Sequence, residues 1–82
     1  MRVTVYGLWH LGSVTAACLA EAGHEVVGLD PDAAAVAGLR ANAPPVDEPG
    51  LKALVTEQQA SGRLRFTTDA ADALPGAAVV WV

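Results

Sequence analysis

The residues of this chain best placed to do chemistry are two glycines and an acid. They stand in Gly7-Leu8-Trp9-His10-Leu11-Gly12 and, further on, at Asp30. Glycines spaced in this way between a strand and a helix let a backbone turn tightly and approach a pyrophosphate closely, and the last of them lets the helix pack on the strand. The helix N-terminus adds free N–H groups and the positive end of its dipole. An acid about 20 positions on, at the end of the next strand, accepts hydrogen bonds from the adenosine ribose hydroxyls. Gly7, Gly12 and Asp30 fill the first, third and acidic roles, while Trp9 occupies the place of the middle glycine. The chemistry implied is dinucleotide binding. Asp30 favours NAD over NADP, because a carboxylate repels a 2′-phosphate and positions 31–35 offer no arginine to receive one. The candidate cofactor-binding residues are Gly7, Trp9, His10, Leu11, Gly12 and Asp30; no residue is assigned a catalytic or metal-binding role.

Several of these residues carry a second, purely structural reading. Asp30 directly before Pro31 also suits a helix N-cap. Gly7 and Gly12 serve turn and packing with or without a ligand. His10 is either a ligand contact or a loop residue, and Ser13 either meets phosphate or satisfies its own helix end. Cys18 is expected to be a buried small hydrophobe and His24 a solvated turn residue. Glu48 is expected to favour the start of a helix opening at Pro49. Arg63 and Arg65 read as strand-edge charges that discourage aggregation, and Trp81 as core or an interdomain contact.

The elements that must position these residues follow from periodicity and punctuation. Val3–Tyr6 and Val26–Leu29 read as buried strands, Leu64–Thr67 as a strand with one polar face, and Ala77–Val82 as a fourth strand. Leu11, Val14, Cys18 and Ala22 recur at helical spacing, and Gly23 stops that helix. Pro31 fits the first turn of a second helix running to Arg40 with Val36 and Leu39 inside. The proline-rich 43–50 stretch is a loop, Leu51, Leu54 and Val55 begin a third helix ending at Ser61-Gly62, and Asp69 caps a short fourth. The order β-α-β-α-α-β-α-β specifies an α/β fold: a Rossmann-like parallel sheet of strand order 3-2-1-4 with right-handed crossovers.

Composition bounds the partners. The chain has 82 residues, five Lys+Arg against nine Asp+Glu and a net charge of −4, which disfavours nucleic acid because phosphate binding needs a basic face. With 52% hydrophobic and 17% charged residues it is not a disordered tail. One cysteine makes no internal disulfide, no Cys/His spacing suggests zinc, and no apolar run reaches the roughly 18 residues of a membrane span. The default expectation is a cytoplasmic protein with no membrane partner. Because Val82 falls inside an apparent strand, residues 1–82 are read as the incomplete N-terminal part of a doubly wound NAD-binding domain, expected to be inactive and poorly stable by itself.

The run Gly7 to Asp30, including Thr15-Ala16-Ala17-Cys18-Leu19-Ala20-Glu21-Ala22-Gly23-His24-Glu25-Val26, resembles the start of the nucleotide-sugar 6-dehydrogenase family. A second block, Glu48-Pro49-Gly50-Leu51 and then Ser61-Gly62-Arg63-Leu64-Arg65-Phe66-Thr67-Thr68-Asp69, strengthens it and extends it over the whole chain. The likeness is to the UDP-glucose and GDP-mannose type, nearest the UDP-glucose side. It implies NAD-dependent oxidation of a sugar C6 alcohol to a carboxylate by two hydride transfers through a cysteine thioester. The cysteine and its lysine and asparagine helpers would lie beyond Val82, the nucleotide sugar would bind domains outside this chain, and the full-length protein is expected to be a homo-oligomer. The family usually has glycine and tyrosine where Trp9 and His10 stand, and a cofactor-contacting lysine where Ala35 stands. Two rivals remain at this point: another dehydrogenase of the β-hydroxyacid or 6-phosphogluconate type, and a cofactor-free scaffold or oligomerisation module whose site Trp9 has closed.

Overall fold

The computed structural model describes residues 1–45 and 48–82. The elements run β1 (Arg2–Tyr6), α1 (His10–Glu21), β2 (Glu25–Leu29), α2 (Ala33–Arg40), α3 (Leu51–Ser61), β3 (Leu64–Thr67), α4 (Ala70–Ala73) and β4 (Val79–Trp81). All strand pairs are parallel, in the order β3-β2-β1-β4. The sheet therefore grows outward from β1 through β2 to β3 and then reverses to place β4 on the other side of β1. That reversal is the crevice where open α/β sheets bind ligands, outside the carboxyl ends of the strands.

Alternation along the strands divides the core between the two faces of the sheet. Val3, Val5 and Val26 meet Ala16, Ala17 and Ala20 of α1, Val36 and Leu39 of α2, and Leu51 and Val55 of α3. On the opposite face Val27 and Leu29 pack with Ala73 of α4. Thr4, fully buried on that side, donates its hydroxyl to the Ala73 carbonyl at 2.6 Å. Trp81 packs partly buried against the larger cluster.

Three local expectations are corrected. The buried face of α1 is Gly12, Ser13, Ala16, Ala17 and Ala20, not the Leu11–Val14–Cys18–Ala22 stripe. Small side chains bring the helix close to the sheet, Val14 and Leu19 pack half-buried at the margin of the core, and Leu11 and Cys18 fall on the outer side. Cys18 is consequently exposed and Leu11 is 64% exposed. The second helix begins at Ala33 rather than at Pro31, because Asp32 is its N-cap and accepts from the Ala34 and Ala35 amides at 2.9 and 3.3 Å. The third begins at Leu51 with Gly50 as its N-cap, not at Pro49.

The expected stop of α1 is present. Gly23 has φ +101°, its amide donates to Ala20 O at 3.0 Å, and the His24 amide donates to Leu19 O at 3.1 Å. These bonds satisfy the last carbonyls of the helix. Asp69 caps α4 through the Ala71 amide at 2.9 Å. Among the described residues no helix is long and apolar enough to cross a membrane.

Candidate functional site

At the carboxyl end of β1 the chain enters the glycine loop. The Gly7 amide donates to Leu29 O at 2.9 Å, extending the ladder one residue past the strand. Gly7 then turns the chain with φ +93°, a conformation that side chains rarely adopt. Leu8 inserts a fully buried side chain, and Trp9 becomes the N-cap of α1. Gly12 lies so close beneath the turn that an added Cβ would sit 1.6 Å from the Gly7 carbonyl oxygen. The close helix–strand approach assigned to the last glycine is thus visible in the packing.

Asp30 ends β2 and is 5% exposed. Its Oδ2 accepts the Leu8 amide at 2.8 Å and its Oδ1 accepts the Asp32 amide at 2.8 Å. The capping reading of Asp30 is corrected by this geometry: Asp32 caps α2, while Asp30 fastens the glycine loop to the second strand. Each carboxylate oxygen has a lone pair beyond the one used, so hydroxyl donors can still be accepted.

The first turn of α1 receives no side-chain cap and contains no acidic residue. Its N–H groups and the positive end of the dipole are therefore left for an anion. Trp9 is 59% exposed and has an extended backbone at φ −79°, which any residue adopts. Its indole projects outward. Ser13 is fully buried and donates its hydroxyl back to Trp9 O at 2.8 Å and His10 O at 3.2 Å, so it bonds carbonyls of its own turn and leaves the amides of the helix start without a side-chain partner.

His10, the first residue of α1, meets Glu48 across the fold, with Nε2 to Oε1 at 2.8 Å. The expectation that Glu48 serves the start of α3 is corrected, since no side chain caps that helix and the carboxylate turns to His10 instead. Glu48 also borders a cleft of about 340 Å³ between α1 and α3, together with Cys18, Glu21 and Leu54. Away from the loop, Arg65 on the outer strand β3 donates to Asp72 at 2.8 Å, and this bond holds the Asp72 carboxyl below its usual value of 3.8. Arg63 stands just before β3 and donates to Gln58 Oε1 at 3.0 Å.

Sequence reasoning missed Gly28. An added Cβ there would meet the Phe66 ring at 2.6 Å and the Leu8 side chain at 2.8 Å, so this glycine makes the room in which Leu8 anchors the loop. A glycine inside a strand was the available signal.

The arrangement combines an uncapped helix start, a tight glycine turn packed against the helix, and a buried carboxylate. These features fit a dinucleotide. The family model for the NAD binding domain of the UDP-glucose/GDP-mannose dehydrogenases matches residues 1–82. The chain belongs to this family. GDP-mannose 6-dehydrogenase of Pseudomonas putida is 43% identical over 74 residues, covering 90% of this chain and 17% of that protein. UDP-glucose 6-dehydrogenase of Rhizobium meliloti is 39% identical over 82 residues, covering the whole chain and 19% of that protein. A crystal structure of a ternary complex of GDP-mannose dehydrogenase from Pseudomonas aeruginosa superposes with a TM-score of 0.93 at 38% identity, over 98% of this chain and 18% of that one. The chain thus spans less than one fifth of the length of these family members, and it matches their NAD-binding domain.

Proposed function

We propose that these 82 residues hold NAD in an enzyme that oxidises the C6 alcohol of a nucleotide sugar, of the UDP-glucose type, to a carboxylate. The observation that carries this reading is the convergence of the Gly7–Gly12 turn, the uncapped start of α1 and the buried Asp30 carboxylate at the sheet's switch point. When bound, NAD supplies the hydride acceptor. Each alcohol gives up two hydrides in turn and takes its second carboxylate oxygen from water, a sequence that requires groups outside this chain.

The chain's own residues bind and orient. Gly7 and Gly12 hold the loop against the helix, and the main chain from Trp9 through Leu11 to Gly12 presents amides to the pyrophosphate. Asp30 accepts from the adenosine ribose hydroxyls and disfavours a 2′-phosphate. His10 flanks the cofactor with its side chain, while Trp9 contributes its main chain and its outward-turned indole restricts the approach of the pyrophosphate. A homo-oligomeric assembly of the intact protein belongs to the same proposal.

The UDP-glucose assignment is supported by relatives of that type aligning over all 82 residues, at 39% and 42% identity. GDP-mannose is the second reading, favoured by the 43% identity of relatives of that type over 74 residues. Calorimetric titration of the intact protein with NAD and NADP, followed by NADH formation with UDP-glucose and GDP-mannose, is the test. Tight NAD binding with turnover of UDP-glucose supports the proposal, and turnover of GDP-mannose alone replaces the substrate. Absence of NAD binding would return the chain to the cofactor-free scaffold.

A further inference from the structure

A side-chain contact between His10 and Glu48 joins the glycine loop to the second sequence block. The main chain of Glu48 is ordered by the Leu51 amide, which donates to its carbonyl at 3.1 Å. From that turn the carboxylate reaches across to the imidazole at 2.8 Å. Both side chains are substantially exposed, at 63% and 38%. An exposed pair of this kind adds little to stability. What it does is orient: a carboxylate on Nε2 decides which ring nitrogen carries the proton there and leaves Nδ1 for another partner.

We propose that Glu48 is a positioning residue for NAD binding, acting through His10. It holds the imidazole in one rotamer and one tautomer before the cofactor arrives. The inference rests on the proposed contact between His10 and the cofactor. A histidine at the first position of α1 lies beside the amides proposed to receive the pyrophosphate, and a ring already fixed loses less freedom on binding. Without Glu48 the exposed ring samples several rotamers, and binding must select one.

The test is a double-mutant cycle in the intact protein, read by calorimetric NAD titration and thermal unfolding. Glu48→Ala should weaken NAD binding about threefold to tenfold, the range expected for fixing one mobile side chain, and should leave Tm within about 2 °C because the pair is exposed. Glu48→Gln, whose amide oxygen can still accept from Nε2, should restore most of the affinity. In a His10→Phe background, Glu48→Ala should have no further effect on NAD affinity. The proposal is overturned if Glu48→Ala leaves NAD affinity unchanged, if it weakens binding equally in the His10→Phe background, or if the glutamine and alanine variants lose affinity and Tm together. Failure of the unsubstituted protein to bind NAD overturns the proposed function itself, and this inference with it.

Discussion

The backbone amide of Leu8 donates to Asp30 Oδ2 at 2.8 Å, across 22 residues of sequence. The acid expected to meet the ribose is therefore also the clasp of the glycine loop, and its two oxygens hold two backbone amides. In the proposed complex, recognition of one end of the dinucleotide is thereby tied to the turn that would receive its middle.

Asp30→Ala accordingly affects stability and cofactor choice together. Leaving the Leu8 and Asp32 amides without their acceptor costs about 1–3 kcal/mol for each one that stays buried. Urea unfolding should show the lost stability, and paired NAD and NADP titrations should show eroded NAD preference. Equal affinity of the unsubstituted protein for both cofactors would remove the ribose assignment.

Gly12→Ala places a methyl 1.6 Å from the Gly7 carbonyl oxygen, a contact no rotamer can relieve. The helix must move off the strand, at a cost of about 1–3 kcal/mol or more by the measure of overpacked cores. The expected result is a lower Tm and a loss of NAD affinity. An unchanged Tm would mean that the loop yields without moving α1.

Trp9→Gly tests the departure at the middle glycine. The indole already projects outward, so its removal takes bulk away from the approach to the first turn of α1. Recovering one charge-assisted contact is worth roughly 1.5–3 kcal/mol, partly offset by about 0.5–1 kcal/mol of glycine flexibility. NAD binding should tighten between about twofold and seventyfold by calorimetry. Weaker binding would identify the indole as a cofactor contact.

Asp72 supplies a pH prediction. The Arg65 hydrogen bond holds its folded-state pKa below 3.8. Its contribution to stability is therefore present above that value and is lost as pH falls through the folded pKa. Arg65→Met should raise the Asp72 titration, followed by carboxyl NMR, toward 3.8. A midpoint that does not move would show that Arg65 does not hold it.

The order of elements and the strand sequence 3-2-1-4 were legible because β-branched runs, glycine stops and the Asp69 cap act locally. Residues whose partners lie far away in sequence were not. The packed face of α1 was misread because the apolar stripe through Leu11 and Cys18 outweighs Ala16, Ala17 and Ala20 in any hydrophobicity count, although small residues are what a close helix–sheet contact selects. Asp30 and Asp32 both suit a cap, and only the three-dimensional path shows that the first is occupied by Leu8. Glu48 looked like a helix-start carboxylate because its partner, His10, lies on another helix.

The reversal in the sheet also has a kinetic side. β1 gains one neighbour, β2, after a single crossover through α1, whereas β4 reaches it only after α2, α3, β3 and α4, and the Thr4–Ala73 hydrogen bond that accompanies this pairing spans 69 residues. The entropy of joining such distant segments is lost before their contacts form, so pairings of this span slow folding. By this argument the β1–β4 pairing, which forms a wall of the crevice, is expected to form more slowly than the β1–β2 pairing. The Leu8–Asp30 bond spans only 22 residues, so the same argument expects the glycine loop to be fastened before that edge of β1 is covered.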